Sequence, residues 1–337
     1  MHFDRPTRRQ FITLLGGAAA VWPLAARTQQ SERMRRVGVL MNGAATETIP
    51  QSYVAAFVQE LRQLGWTEGR NLRIDVRWNA GDAALARIYA AQLIGLTPDV
   101  ILTASTTNLT VIQQATNTVP VVFVQVSDPV EQGFVASITK PGGNLTGFSM
   151  YEFSVGGKWV DLLKEIAPSL SRVAVMFNPD TSPQSKFFMR SIEAAAPSHG
   201  VQAIATPVRT TPEIEAALQD FSREPNGGLI LPTDTFTRLR SKLITELAER
   251  HRLPSISSYD GFTKDGGLIY YGAMINLPEQ YRQAASYVDR ILKGERPGDL
   301  PIQRAVKYAL SLNLKTAKTL GLTVPLPLTG LADEVIE

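Results

Sequence analysis

From position 33 onward the chain alternates between two hydrophobic rhythms. Short runs rich in Val, Ile and Leu occupy 36–41 (RVGVLM), 72–78 (LRIDVRW), 99–104 (DVILTA), 119–126 (VPVVFVQV) and 145–149 (LTGFS). Apolar, β-branched runs of this length predict strands, and those at 99–104 and 119–126 read as buried on both faces of a parallel sheet. Between the runs the spacing changes to that of a helix. Residues 51–64 put Val54, Phe57, Val58, Leu61 and Leu64 on one face, and 82–96 predicts a second helix. After 99–104 come Ser105, Thr106, Thr107 and Asn108, four helix-starting residues ahead of Leu109 and Ile112. Regular alternation of this kind predicts a parallel sheet with helices on both faces.

The pattern then starts again. Residues 172–178 (RVAVMFN) echo 36–42 (RVGVLMN). A helix at 158–166 leads into this half, and helices follow at 185–196 and 211–221, with a strand at 201–208. The strand 228–231, ending in Pro232, Thr233 and Asp234, parallels the one that ends at Ser105. Leu253 and Pro254, opening 255–259, parallel Val119 and Pro120, and 268–271 parallels 145–148. The offset falls from 136 residues at Arg36 and Arg172 to 123 at Leu145 and Leu268, so loops differ while the order holds.

The predicted fold class is therefore α/β, with two doubly wound parallel-sheet lobes facing across a cleft. The first lobe spans 33–149 and is completed by 276–295; the second spans 150–275. A helix at 278–292, a strand near 307–312, a helix at 314–320 and prolines at 325–327 form the tail. Residues 296–337 are expected to cross between the lobes as part of the hinge, without assignment to either.

In open α/β sheets, ligands bind outside the carboxyl ends of the strands. Polar residues collect at those ends: Asn42, Ser105 and Asp128 in one half, Asn178, Asp234 and Asp260 in the other. The hydroxyl-rich helix start at Ser105 and Thr106 suits a carboxylate, because free N–H groups and the helix dipole favour an anion. Asp128, at the end of the neighbouring strand, would then face a cation, giving half of a zwitterion clamp. Each also has a plainer reading: Ser105 as an ordinary N-cap, and Asp128, before Pro129, as a turn residue. Phe148, Tyr151, Phe153, Tyr259 and Tyr271 cluster near strand ends, as core or as ligand walls.

Charge changes the picture only at the N-terminus. The net charge of +3 is matched by residues 1–28, where Arg5, Arg8, Arg9 and Arg27 stand against Asp4, so the remainder is close to neutral. Residues 7–13 (TRRQFIT) form a twin-arginine pattern before an uncharged run to Ala26, which predicts a signal peptide at 1–28 and a periplasmic destination. Without cysteine there is no disulfide, thiol nucleophile or lipid anchor. His199 and His251 stand alone near expected helix ends, there is no G-x-S-x-G elbow, and Gly156, Gly157 and Lys158 lack the spacing of a phosphate loop. No enzyme activity, metal or cofactor is expected, and neutral charge with no helix-turn-helix before residue 36 argues against nucleic acid.

At this point a resemblance becomes visible. The leader RRQFITLLGGAAAVWPLAA, ELRQLGWTEGRNLRIDVRW at 60–78, VPVVFVQVSDPVEQGFVASITKPGGNLTGFS at 119–149 and the tail runs GLIYYG, YVDRILKGERPGDLP and NLKTAKTLGL resemble ABC-transporter substrate-binding proteins. The similarity is to the branch with tryptophan- and tyrosine-type members and a type I periplasmic-binding fold. It implies an extracytoplasmic, monomeric receptor that closes two lobes on a small ligand, with an ABC permease and its ATPase as partners. By position, Ser105 and Thr106 match the family's carboxylate-binding turn; Ser127, Asp128 and Pro129 match a first-lobe rim; Asp234, Tyr259, Asp260 and Gly272 match the second-lobe rim. Related chains often carry a Gly/Ala-rich turn where this one has Ala104, Ser105, Thr106 and Thr107. A sensory receptor, and a periplasmic enzyme pairing Asp128 with Asp234 or Asp260, remain alternatives at this stage.

Overall fold

The computed structural model describes residues 34–305 and 307–337; the leader expected at 1–28 lies outside them. The first lobe is built on β1 (Arg35–Met41), β2 (Leu72–Trp78), β3 (Val100–Ala104), β4 (Val121–Val126) and β5 (Leu145–Ser149), all parallel. Their connections are α1 (Thr48–Gln63), α2 (Ala83–Gly95) and α3 (Thr106–Ala115). Asp82 accepts from the N–H groups of Ala84 and Leu85 and so fixes where α2 begins. β3 is buried along its whole length, as its apolar run, interrupted only by Thr103, requires when both sheet faces are covered. Phe57 and Leu61 of α1 pack on one face, and Ala86, Leu93, Leu109 and Ile112 pack on the other.

The second lobe follows the same order: α4 (Val155–Ile166), β6 (Arg172–Phe177), α5 (Ser185–Ala195), β7 (Gln202–Pro207), α6 (Thr211–Phe221) and β8 (Gly227–Leu231). A short α7 (Thr235–Arg238), α8 (Ser241–Arg250), β9 (Ser255–Ser257) and β10 (Ile269–Ala273) complete it. The strand expected over 255–259 stops at Ser257, which frees Tyr259 and Asp260 to enter a turn at the sheet edge.

The chain then returns. In α9 (Leu277–Leu292), Tyr281, Ala284, Ala285 and Val288 bury against the first lobe's core beside Phe57. β11 (Gln303–Arg304) adds to the edge of β5, whereas β12 (Tyr308–Asn313) joins the other sheet antiparallel to β10. After α10 (Leu314–Leu320) and α11 (Leu326–Leu331), β13 (Glu334–Ile336) pairs with β12. The sheets therefore read β11-β5-β4-β3-β1-β2 and β13-β12-β10-β9-β8-β6-β7. The chain passes between lobes after β5, after β10 and after β11. Passages in parallel at one side are the geometry of a hinge.

Candidate functional site

The carboxyl ends of the two sheets face each other across a cavity of about 720 Å3. Its first-lobe wall includes Asn42, Tyr53, Ser105, Thr106, Thr107 and Gln125; its second-lobe wall includes Thr181, Gln184, Asp234, Arg238, Tyr259 and Asp260, and Tyr151 of the crossover packs on the second-lobe side. The lobes touch across it. Asn42 Nδ2 donates to Thr235 Oγ1 at 3.3 Å, and Thr107 Oγ1 donates to the Thr181 carbonyl at 2.8 Å. Arg190 and Glu131 form a further ion pair across the lobes at 3.6 Å. These contacts define a closed arrangement.

On the first-lobe side the start of α3 is the principal feature. Ser105 sits at φ +82°, ψ 153°, a conformation that costs a non-glycine residue about 1–3 kcal/mol and is retained where surrounding structure enforces it. Its Oγ accepts from the Asn108 N–H at 3.3 Å, and Thr106 Oγ1 accepts from the Ser127 N–H at 3.4 Å. Buried Asn108 ties this turn to β1 by donating to the Leu40 carbonyl, and accepts from Asn79 Nδ2 at 3.1 Å. The N–H groups of Thr106 and Thr107 have no acceptor among the described residues. They are the first donors of a ten-residue helix and they border the cavity.

On the second-lobe side Asp234 is the hub. It is 5% exposed, and its carboxylate accepts from the Asn178 N–H at 2.9 Å, Thr181 Oγ1 at 2.5 Å and the Phe236 N–H at 3.0 Å. Burial raises its pKa, and these same bonds oppose the rise. Next to it Thr233 Oγ1 pairs with Ser258 Oγ at 3.1 Å, and Tyr151 of the crossover donates to the Ser258 carbonyl at 2.8 Å. The hydroxyl of Tyr151 is inside the wall, and burial pushes its pKa well up.

Four further groups share another part of the cavity: Tyr53, Arg238, Tyr259 and Asp260. The phenols of Tyr53 and Tyr259 are raised mainly by burial; Asp260 adds to the rise in both and Arg238 opposes it. Tyr53 is fixed by stacking on Tyr281, with ring centroids 5.3 Å apart. Arg238 has no ion-pair partner among the described residues. The C-terminal strand contributes as well: Glu334 pairs with Lys264 at 3.1 Å, and Asp333 accepts from the Leu310 N–H at 2.8 Å. Among the described residues no group of three or more His, Cys, Asp or Glu is placed to hold a metal ion.

Of the residues singled out by sequence, Asn42, Ser105, Thr106, Asp234, Tyr259 and Asp260 line the cavity, and Asp128, Asn178 and Gly272 do not. Asp128 is displaced by a bulge. β4 pairs Phe123 with Gly147 but Val126 with Ser149, one residue more on β4 than on β5, and Gln125 takes φ +57°. Gln125 therefore reaches the cavity, whereas the Asp128 carboxylate accepts from the Glu131 N–H at 3.0 Å and borders a smaller hollow with Glu152 and Arg304. Asn178 serves its own loop: its N–H goes to Asp234 and its Oδ1 accepts from Asp180. Gly272 lies behind the wall, where a Cβ would come within 2.8 Å of the Tyr151 hydroxyl oxygen and 3.0 Å of the Ser258 carbonyl oxygen. Asp128, expected from sequence to face a cation there, thus lies outside the cavity that Ser105 and Thr106 border. Asp128→Ala is expected to leave ligand affinity within about twofold of wild type and to cost about 1 kcal/mol of stability through the lost turn bond. Calorimetric titration of the variant checks the first statement, and an affinity loss of tenfold would contradict it.

Two α/β lobes joined by three passages of the chain, closed on a cavity of mixed polar and apolar lining at their strand ends, define a two-lobed solute-binding protein. Residues 48–336 match the family model described as ABC transporter substrate binding protein, and the chain belongs to that family. It is 26% identical over 266 residues to a tyrosine-binding protein of Clostridioides difficile, covering 79% of this chain and 75% of that one. Among solved structures it is similar to a conserved domain protein from Vibrio cholerae (TM-score 0.78, 25% identity, 90% of this chain and 100% of the other). It is also similar to an ABC domain from Streptococcus pneumoniae in complex with L-Trp (TM-score 0.74, 21% identity, with the same coverage), a likeness of fold. No helix among the described residues is long and apolar enough to cross a membrane.

Proposed function

We propose that this chain captures an aromatic amino acid, or a closely similar small carboxylate, and delivers it to an ABC permease with its ATPase. The observation that carries this reading is the start of α3. Two N–H groups without acceptors among the described residues, on Thr106 and Thr107, border the closed cavity, where a carboxylate gains both hydrogen bonds and the helix dipole. Tyr53, Tyr259, Phe262 and Tyr270 supply aromatic wall for a planar side chain. The ligands named for two similar proteins, tyrosine and L-Trp, agree with that wall. The twin-arginine leader supports export to the periplasm, and a monomer suffices because one chain supplies both rims. A role in binding rather than catalysis is supported by Asp128 lying outside the cavity and by Asp234 using its carboxylate to hold the loop of Asn178 and Thr181.

A ligand held between hinged lobes stabilises the closed state by its contacts to both. Present at 100 times its Kd, it adds about 2.7 kcal/mol to the unfolding free energy. The test is a thermal-shift screen of the protein against the common amino acids, small carboxylates and purines. L-tyrosine or L-tryptophan is expected to raise Tm by several degrees. A purine as the only active compound, or no response to any compound carrying a carboxylate, would sink the reading.

A further inference from the structure

Four polar side chains in the cavity wall end without a partner. Tyr53 comes from the first lobe, and Arg238, Tyr259 and Asp260 come from the second. Among the described residues none of their side-chain ends forms a hydrogen bond or an ion pair, although Arg238 and Asp260 carry opposite charges. Nor are these ends sealed in the wall. Tyr53, Arg238 and Tyr259 are half-buried and Asp260 is exposed, and the buried polar atoms that lack a bond all lie on other residues. Their polar ends therefore stand on accessible surface, in side chains that border the cavity. Asp260 acts on its surroundings from there. The phenols of Tyr53, Tyr151, Tyr259 and Tyr270 are raised mainly by burial, and Asp260 adds to the rise in each. A carboxylate felt by phenols of both lobes and of the crossover lies among them, on the cavity side.

Charge and bonding capacity narrow the occupant. A guanidinium only donates and a carboxylate only accepts, and since these two do not pair with each other, both are free to bond a ligand. An anion would be drawn to Arg238 and repelled by Asp260, and an ammonium group the reverse. An apolar ring edge would strip water from both and return no bond. A hydroxyl satisfies both, because its oxygen accepts from the guanidinium while its hydrogen goes to the carboxylate. The indole N–H of tryptophan only donates, and the ring of phenylalanine does neither. We propose that Arg238 and Asp260 form a subsite for the phenolic hydroxyl of a tyrosine-like amino acid whose α-carboxylate lies at the start of α3, with Tyr53 brought against it from the other lobe. Arg238 and Asp260 are then specificity-determining residues that separate tyrosine from phenylalanine and tryptophan. Their role rests on the aromatic amino-acid reading above, which by itself needs only a carboxylate and a planar side chain.

The experiment compares L-tyrosine with L-phenylalanine, which lacks only the hydroxyl, and with L-tryptophan. Calorimetric titration of the wild-type protein is expected to show L-tyrosine binding about tenfold or more tighter than either, because a site built to bond a hydroxyl is left unpaired by a ligand without one. Arg238→Met removes the donor, and Asp260→Ala removes the acceptor. Each is expected to weaken L-tyrosine about tenfold and to change L-phenylalanine by less than about threefold, so the preference collapses. Neither side chain holds a bond among the described residues, so both variants are expected to fold, and should one fail the other carries the test. Wild-type protein that holds L-phenylalanine or L-tryptophan as tightly as L-tyrosine would overturn the subsite and leave the aromatic amino-acid reading intact. Equal losses of L-tyrosine and L-phenylalanine in the variants would do the same, since the two side chains would then act on the part that both ligands share. Wild-type protein that binds none of the three would overturn that reading itself, and the subsite with it.

Discussion

Asp234→Ala is expected to lower the unfolding free energy by about 3 kcal/mol at pH 7 and to weaken ligand binding by more than tenfold. Three donors lose their acceptor at once: the N–H groups of Asn178 and Phe236 and the hydroxyl of Thr181. Each orphaned buried group costs about 1–3 kcal/mol, and relief from burying a carboxylate offsets part of the sum. The affinity loss follows from Thr181. Its carbonyl receives the Thr107 hydroxyl across the cleft, so freeing its loop removes a contact that belongs to the closed state. Urea unfolding and calorimetric titration check the two halves. A stability loss below 1 kcal/mol would show that the carboxylate is not the hub of this rim.

The same residue predicts a pH dependence. Burial lifts the folded-state pKa of Asp234 above its ordinary value near 3.8. An acid that holds its proton more tightly when folded contributes stability that is complete below about 3.8 and is lost as pH rises through the raised value. The stability difference between wild type and Asp234→Ala is therefore expected to shrink from pH 4 to pH 7. A difference that grows over this interval would mean that the hydrogen bonds outweigh burial and hold the pKa down.

The strands and their repetition were legible because burial on both faces leaves a simple signature. The run at β3 has Thr103 as its one polar residue, and its counterpart at β8 is apolar throughout. The rim residues at β1, β3 and β8 followed from chain direction alone, since parallel strands send all their carboxyl ends to one edge. What could not be read depends on partners remote in the chain. β12 runs antiparallel because it enters the second sheet from the hinge, a matter of where α9 packs and not of local pattern. Arg238 ends a four-residue helix too short to carry a period. Gln184 joins the cavity wall through its bond to the carbonyl of Thr233, 49 residues away. Tyr53 sits beside the apolar stripe of α1 and is marked only by its stacking on Tyr281, which returns from the tail. Asp128 lies outside the cavity for the opposite reason: a strand end looks regular in sequence until one extra residue turns its rim.

That extra residue leads to the other large effect expected, on folding. Gly147→Ala is expected to cost at least about 4 kcal/mol or to prevent folding, the range reserved for substitutions that break a core element outright. Gly147 lies opposite Phe123 in the β4–β5 pairing, immediately before the bulge, at φ +150°. A Cβ built there would lie 2.0 Å from the Phe123 carbonyl oxygen and 2.6 Å from its nitrogen. Both obstacles are backbone at the centre of a buried sheet, so no side-chain rotation relieves them, and β5 must move away from β4. Gly143→Ala serves as the control. It also has a positive φ, +65°, but nothing lies within 4 Å of its added Cβ, so only the conformational strain of about 1 kcal/mol remains. Soluble yield and urea midpoints for the pair separate steric exclusion from strain. Equal, modest losses would mean that the close approach of β5 to β4 is not needed, and with it the reason that Gln125, rather than Asp128, lines the cavity.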